Sequence, residues 1–171
     1  NKLSIPGPSP RRLHAMAFDE RRGVTVLFGG TDGERDLDEL WEYNGHAWTR
    51  RQTQAGPWRR SRHAMAYDGS RGVVVLTGGV EQSIFNDRGV AVILGPDWWE
   101  WDGVQWANRV SQSAPQARVD HQLVQDRLGG RLLMFGGRTE DGTTQQLWQL
   151  RGDAWSRLEV SGPALSASSL G

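Results

Sequence analysis

Residues 60–79 read RSRHAMAYDGSRGVVVLTGG, and the same plan stands over 11–30 as RRLHAMAFDERRGVTVLFGG and, more loosely, over 118–137 as RVDHQLVQDRLGGRLLMFGG. The landmarks hold register. His14, His63 and His121 are each followed five residues on by Asp19, Asp68 and Asp126, and fifteen on by Gly29, Gly78 and Gly136. Gly30, Gly79 and Gly137 complete the doublets. Two tryptophans seven residues apart follow each doublet: Trp41 and Trp48, Trp99 and Trp106, Trp148 and Trp155. The chain therefore repeats one unit three times. His14 to His63 is 49 residues and His63 to His121 is 58, and the extra nine fall between Gly79 and Trp99.

A period near 50 residues points to a propeller or a solenoid. Within one unit, HAMAYD and GVVVLTGG are short alternating or β-branched apolar runs bounded by Gly, Asp and Arg, which predicts strands. LWEYNG and AWTRR supply two more, in which alternation puts one Trp on a buried face and its charged neighbours toward water. Four strands per unit make one antiparallel blade. The fold class expected is all-β, with three such blades.

In R-x-x-H, the Asp after the first strand, the Gly-Gly doublet and the two spaced tryptophans, the chain resembles the kelch repeat family over roughly residues 2–163. The specificity lies in the joint spacing, since a lone Gly-Gly means little. The resemblance implies a kelch-type β-propeller segment. The third copy departs most, with Val119-Asp120 before its His and Leu123-Val124-Gln125 in place of Met-Ala-Tyr.

At 171 residues and 19.1 kDa the chain has the length of one domain and can bury a sizeable core. Only 37% of residues are hydrophobic, but nine tryptophans offset this, because each indole buries about 150–250 Å². Twenty basic and twenty acidic side chains cancel, so no global field draws the chain to nucleic acid or an anionic membrane. With no cysteine there is no disulfide, thiolate metal site or cysteine nucleophile. No run reaches the roughly 18 apolar residues of a spanning helix, and the first residues do not read as a signal peptide. A soluble chain is expected, and its compartment is left open.

The expected organisation is a single propeller segment. Residues 2–8 align with 157–163, so 1–7 close a preceding blade; repeats follow over 8–55, 56–113 and 114–161; and 162–171 begin a next repeat. Repeat two carries the insertion 80–97, read as a protruding hairpin or as an early start to its third strand. Three blades cannot close a ring of the roughly four to eight that propellers use. Two flanks would lie bare. Either the segment belongs to a longer propeller or two chains, as a homodimer, complete a six-bladed ring.

His14, His63 and His121 invite a metal reading, but a residue demanded once per blade is more often structural, so no metal site and no cofactor are expected. Asp19, Asp68 and Asp126 suit turns. Arg11, Arg60 and Arg118 occupy the R of R-x-x-H, with Arg12 and Arg62 beside them. The resemblance implies that these loops meet those following Gly-Gly, which hold Arg35, Arg88 and Arg138, at the channel mouth. Peptide-binding kelch domains grip acidic ligands with arginines there, since guanidinium groups bond carboxylates in bidentate fashion. A scaffold role is favoured for Arg118. Six tryptophans belong to the repeat's core pair; of Trp58, Trp98 and Trp101, which do not, Trp58 sits in a loop at the same mouth and is the expected aromatic contact.

No G-x-S-x-G, H-E-x-x-H, P-loop or G-x-G-x-x-G occurs, and no catalytic residues are assigned. Galactose-oxidase-like kelch enzymes need a tyrosine crosslinked to cysteine, which this chain lacks, and the E-x-x-x-D-x-x-x-H iron spacing of thiocyanate- and nitrile-forming kelch proteins is missing. The expected function is non-catalytic binding of a protein or peptide ligand at the loop face. Two alternatives stand beside it: a carbohydrate-binding or mutarotase-like kelch protein, and an assembly module working through its open flanks.

Overall fold

A computed structural model of the chain describes residues 6–85, 91–93, 95 and 98–159. Those residues are all-β, without helices, in three four-stranded antiparallel sheets. The first sheet runs β1 (Ala15–Asp19), β2 (Val24–Phe28), β3 (Leu40–Tyr43) and β4 (Trp48–Arg51) in sequential order. The second comprises β5 (Ala64–Asp68), β6 (Val73–Thr77), β9 (Trp98–Trp101) and β10 (Trp106–Arg109), and the third β11 (Gln122–Asp126), β12 (Arg131–Phe135), β15 (Leu147–Arg151) and β16 (Ala154–Leu158). The strand β11, where the repeat is weakest, pairs with β12 over five positions, from Gln122 opposite Phe135 to Asp126 opposite Arg131. Within residues 80–97, β7 (Val80–Phe85) and β8 (Ala91–Ile93) pair antiparallel as a separate ribbon, and β13 (Arg138–Thr139) and β14 (Gly142–Thr143) form a smaller one in repeat three. Apart from Pro6 and Gly7, the segments expected to belong to flanking repeats, 1–7 and 162–171, lie outside the described residues.

Turn chemistry explains why the first two strands fold back. Asp19 accepts the Arg22 amide and pairs with its guanidinium, Asp68 does the same for Ser70 and Arg71, and Asp126 accepts the Gly129 amide while pairing with Arg131. Each turn ends on a glycine in the left-handed region, Gly23, Gly72 and Gly130.

The sheets stack through two apolar cores. Register puts Met65, Tyr67, Leu76, Val74, Trp101 and Trp106 on one face of the second sheet, its front, packed against Ala17, Val26, Phe28 and Leu40 of the first. Ala64, Ala66, Val75 and Trp98 form its back and meet Leu123, Met134, Leu132, Leu150 and Trp155 of the third. The two-residue period of a strand thus serves two cores at once. The three first strands, β1, β5 and β11, run next to one another.

Two sequence expectations are corrected here. The charged neighbours of the strand tryptophans do not all face water: Glu42 and Glu100 are 3% and 4% exposed. Each is held by two arginines, Arg22 and Arg51 for Glu42, and Arg71 and Arg109 for Glu100, which satisfies the buried carboxylate. Burial by itself would raise the pKa of Glu42, but hydrogen bonds from Trp101, Arg22 and Arg51 outweigh it and hold the group below its ordinary value. Trp98 and Trp101, outside the repeating pair, are the most deeply buried of the described indoles, at 2% and 1% exposed. Trp106 and Trp155 are also buried, whereas Trp41, Trp48, Trp99 and Trp148 are only partly so.

Candidate functional site

Strand pairing brings the loops before β1, β5 and β11 to the same end of the sheets as those after β2, β6 and β12. Nearly all candidate residues collect at this end, and three of them prove to be one repeated device. Arg11, Arg60 and Arg118 each donate Nη1 to the carbonyl of the first glycine of their own doublet, Gly29, Gly78 and Gly136, at 3.2, 2.9 and 3.0 Å. Each also donates Nε to the carbonyl two residues upstream, on Ser9, Trp58 and Gln116. Arg11 further pairs with Glu39, and Arg118 with Gln146. Their burial follows: the Arg11 side chain is 3% exposed, and Arg60 and Arg118 are 2% and 1% exposed. These guanidinium groups staple one loop to another, and for Arg60 the scaffold geometry matches that of Arg118.

The doublets explain the joint between sheets. The Gly30 amide donates to the carbonyl of Arg60 and the Gly79 amide to that of Arg118, each bond crossing from one sheet to the next. A Cβ on Gly29 would lie 2.5 Å from the Arg60 carbonyl oxygen and 3.0 Å from the His63 ring, and one on Gly78 would collide with the Arg118 carbonyl and lie 2.7 Å from the His121 ring. Only glycine admits that approach, and both glycines hold positive φ. His63 meets Phe28 edge-on at 5.8 Å between centroids, while His121 Nε2 lies 3.0 Å from Thr77 Oγ1. Burial, reinforced by Arg60 and Arg118 respectively, pushes both imidazoles down, His63 well below its ordinary value and His121 to about 4. His14 is lowered by burial and then by Arg11.

Just before each histidine, Leu13, Arg62 and Asp120 adopt φ of 58°, 60° and 57°, a left-handed conformation that side chains resist. Their backbones form a row: the Arg62 amide donates to Leu13 and the Asp120 amide to Arg62, both at 3.0 Å. Sequence reasoning missed this row, because nothing at these positions signals positive φ. Arg62 also pairs with Asp120 at 2.8 Å, and these two residues with Gly137, Arg138 and Thr143 bound a cleft of about 480 Å³.

The remaining candidates divide by exposure. Arg12, Arg35 and Arg138 are exposed, Arg12 opposite Thr31 and Arg138 opposite Val119 in backbone bridges, and Arg35 3.8 Å from Asp32. Arg88 lies outside the described residues. Trp58 stands out at 68% exposed. It lines a cleft of about 390 Å³ whose walls include Asp38, Arg50, Gln52, Thr53 and Arg59. Arg50 and Arg59 are about half exposed, in loose pairs with Glu39 at 3.3 Å and Glu81 at 3.5 Å. Among the described residues no group of three or more His, Asp or Glu is placed to hold a metal ion, and no helix is long and apolar enough to cross a membrane.

Fold and site together define a class: a repeat protein of stacked four-stranded antiparallel sheets joined by glycine doublets, with a loop-borne indole beside a polar cleft. No family model matches the chain. It is similar to tRNA wybutosine-synthesizing protein 4 of Emericella nidulans, at 32% identity over 95 residues, which take in 46% of this chain and 9% of that protein. The chain thus spans a small fraction of the relative's length.

Proposed function

We propose that the three sheets are successive blades of a kelch-type β-propeller and that the chain is a binding module, taking a protein or peptide with an acidic group at the loop end beside Trp58. The observation that carries the reading is the exposed indole at the rim of a 390 Å³ cleft. An indole left in water presents a large, rigid apolar surface, the kind of group that anchors interfaces. Arg50 and Arg59 supply the charge. The 3.3 Å Arg50–Glu39 pair is partly exposed and contributes little to stability, and Glu39 keeps Arg11 and the Trp41 indole, so a ligand carboxylate can take Arg50 with little loss to the scaffold. Because Arg11 and Arg60 are stapled into the loops, acid recognition passes to these cleft arginines, with Arg12 and Arg62 presented on the same end.

The blade reading is supported by the 49-residue spacing of repeats one and two, the sequential strand order and the first strands lying side by side. What the relative's name says it synthesises is not carried to this chain, which matches 9% of it. Panning a random peptide library on the immobilised chain tests the reading. Acidic peptides should be enriched, and Trp58→Ala or Arg59→Glu should each remove their retention. Enrichment no better than on bare support, or unchanged by both substitutions, would refute it.

A further inference from the structure

The second sheet is covered on both faces, but among the described residues no sheet lies on the front of the first or the back of the third, although Leu27 on that front is itself buried. Met16 and Phe18 on that front are 45% and 54% exposed, and Val124 and Phe135 on that back are both 52% exposed. Contiguous apolar surface of this kind marks an interaction site. Its occupant can be read from the junctions the chain makes with itself.

Phe28, on the back of the first sheet, sits edge-on to His63 at 5.8 Å and to Trp106 at 5.5 Å, both from repeat two. Phe135 holds the position of Phe28 in repeat three, while His14 and Trp48 hold those of His63 and Trp106 in repeat one. The back of the third sheet and the front of the first therefore carry the two halves of the contact made at the first junction.

The glycine cradle gives the second observation. Where Gly29 and Gly78 press against the next repeat's Arg carbonyl and His ring, a Cβ on Gly136 would meet only the Thr144 carbonyl, at 3.5 Å. Gly136 nevertheless keeps φ at 70°. The joint is formed and its counterpart is not on it. The backbone groups complete the match: among the described residues the Gly137 amide and Asp120 carbonyl of repeat three have no backbone partner, and neither do the Arg11 carbonyl and Leu13 amide of repeat one. At the internal junctions the corresponding groups pair with one another: the Gly30 and Gly79 amides donate to the Arg60 and Arg118 carbonyls, and the Arg62 and Asp120 amides to the Leu13 and Arg62 carbonyls.

We propose that a second copy of this chain covers both bare faces, the front of each first sheet docking on the back of its partner's third, so that two chains close a ring of six sheets. Docking needs only the repeated junction; ring closure rests on the blade reading above. Two copies related by a twofold axis make the same contact twice, which closes the assembly and leaves no free flank.

Light scattering after size exclusion of the 171-residue chain, across a dilution series, should give twice 19.1 kDa with no larger species. Phe18→Glu and Phe135→Glu should each shift the mass to 19.1 kDa with the β circular dichroism unchanged; if either fails to fold, Met16→Lys or Val124→Lys replaces it. Mixing the two Glu variants should restore a one-to-one dimer, because one of its two flank pairs is then intact. A folded wild-type monomer at every concentration overturns the proposal. So does a dimer that survives either Glu variant, which would mean front-to-front or back-to-back contact. A ladder that lengthens with concentration overturns the ring and the blade reading with it, while peptide capture at Trp58 keeps its own test.

Discussion

The two junctions between the three sheets share a backbone and differ in what fills it. Both use a Gly amide bonded to an Arg carbonyl across the joint, a close-packed first glycine and a positive-φ residue tied to its counterpart. At the first junction Phe28 is wedged between His63 and Trp106, and Trp101 Nε1 crosses the joint to Glu42 at 2.9 Å. At the second, Thr77 takes the place of Phe28 and meets His121, Trp98 and Trp155 pack edge-on at 6.1 Å, and the indole N–H of Trp98 stays within its own strand, on Glu100. The joint is therefore specified by main chain and glycine, and the side chains are interchangeable fillings. Divergent repeats can pack alike for that reason.

The junctions differ most in their cores. Trp101→Ala should cost about 4 kcal/mol in urea unfolding, combining a lost indole with an unpaired acceptor on Glu42, and Trp155→Ala about 3 kcal/mol, since that ring makes no hydrogen bond across the joint. Equal losses would mean that the crossing bond contributes nothing.

Acid should act on both junctions through their histidines. The unfolded chain binds a proton at each near pH 6.5, whereas folded His121 stays neutral down to about 4, so the unfolded state holds more protons between those values and stability falls as pH drops. From pH 7 to 5 the loss from His121 is about 2 kcal/mol. His121→Asn should remove that part of the pH dependence and leave the part due to His63, which is lowered in the same direction. Unfolding midpoints that do not change between pH 7 and 5 would contradict the burial argument.

A double-mutant cycle of Glu42→Gln with Trp101→Phe should give a coupling of about 1 kcal/mol, and one of Glu100→Gln with Trp155→Phe a coupling near zero. Matching couplings would erase the distinction drawn between the junctions. The smallest effect belongs outside both: Trp58→Ala should leave unfolding within about 0.5 kcal/mol of wild type, because its ring is mostly in water.

The strands were legible because each repeat shows the two-residue period between Asp and Gly punctuation, and HAMAYD became β5 through Asp68 as that pattern requires. The buried carboxylates were not. Glu42 and Glu100 look like solvent residues until Arg22 and Arg71, contributed by distant turns, are brought over them. At the loop end, the repetition argument that marked His14, His63 and His121 as structural applies equally to Arg11, Arg60 and Arg118, and their staples show why: a guanidinium demanded in every repeat answers a need of every repeat. Trp58, which has no counterpart in the other copies, was visible by that same rule. The positive φ of Leu13, Arg62 and Asp120 had no signature, since three unlike side chains occupy a conformation imposed by the joint.

The row of backbone bonds through those three residues also offers a natural clock for solvent access. The Arg62 amide reports on the first junction alone and the Asp120 amide on the second, so deuterium uptake at two single sites reads the opening free energy of each joint separately. A protein built from near-identical parts thereby carries, in its own main chain, one addressable probe for every seam.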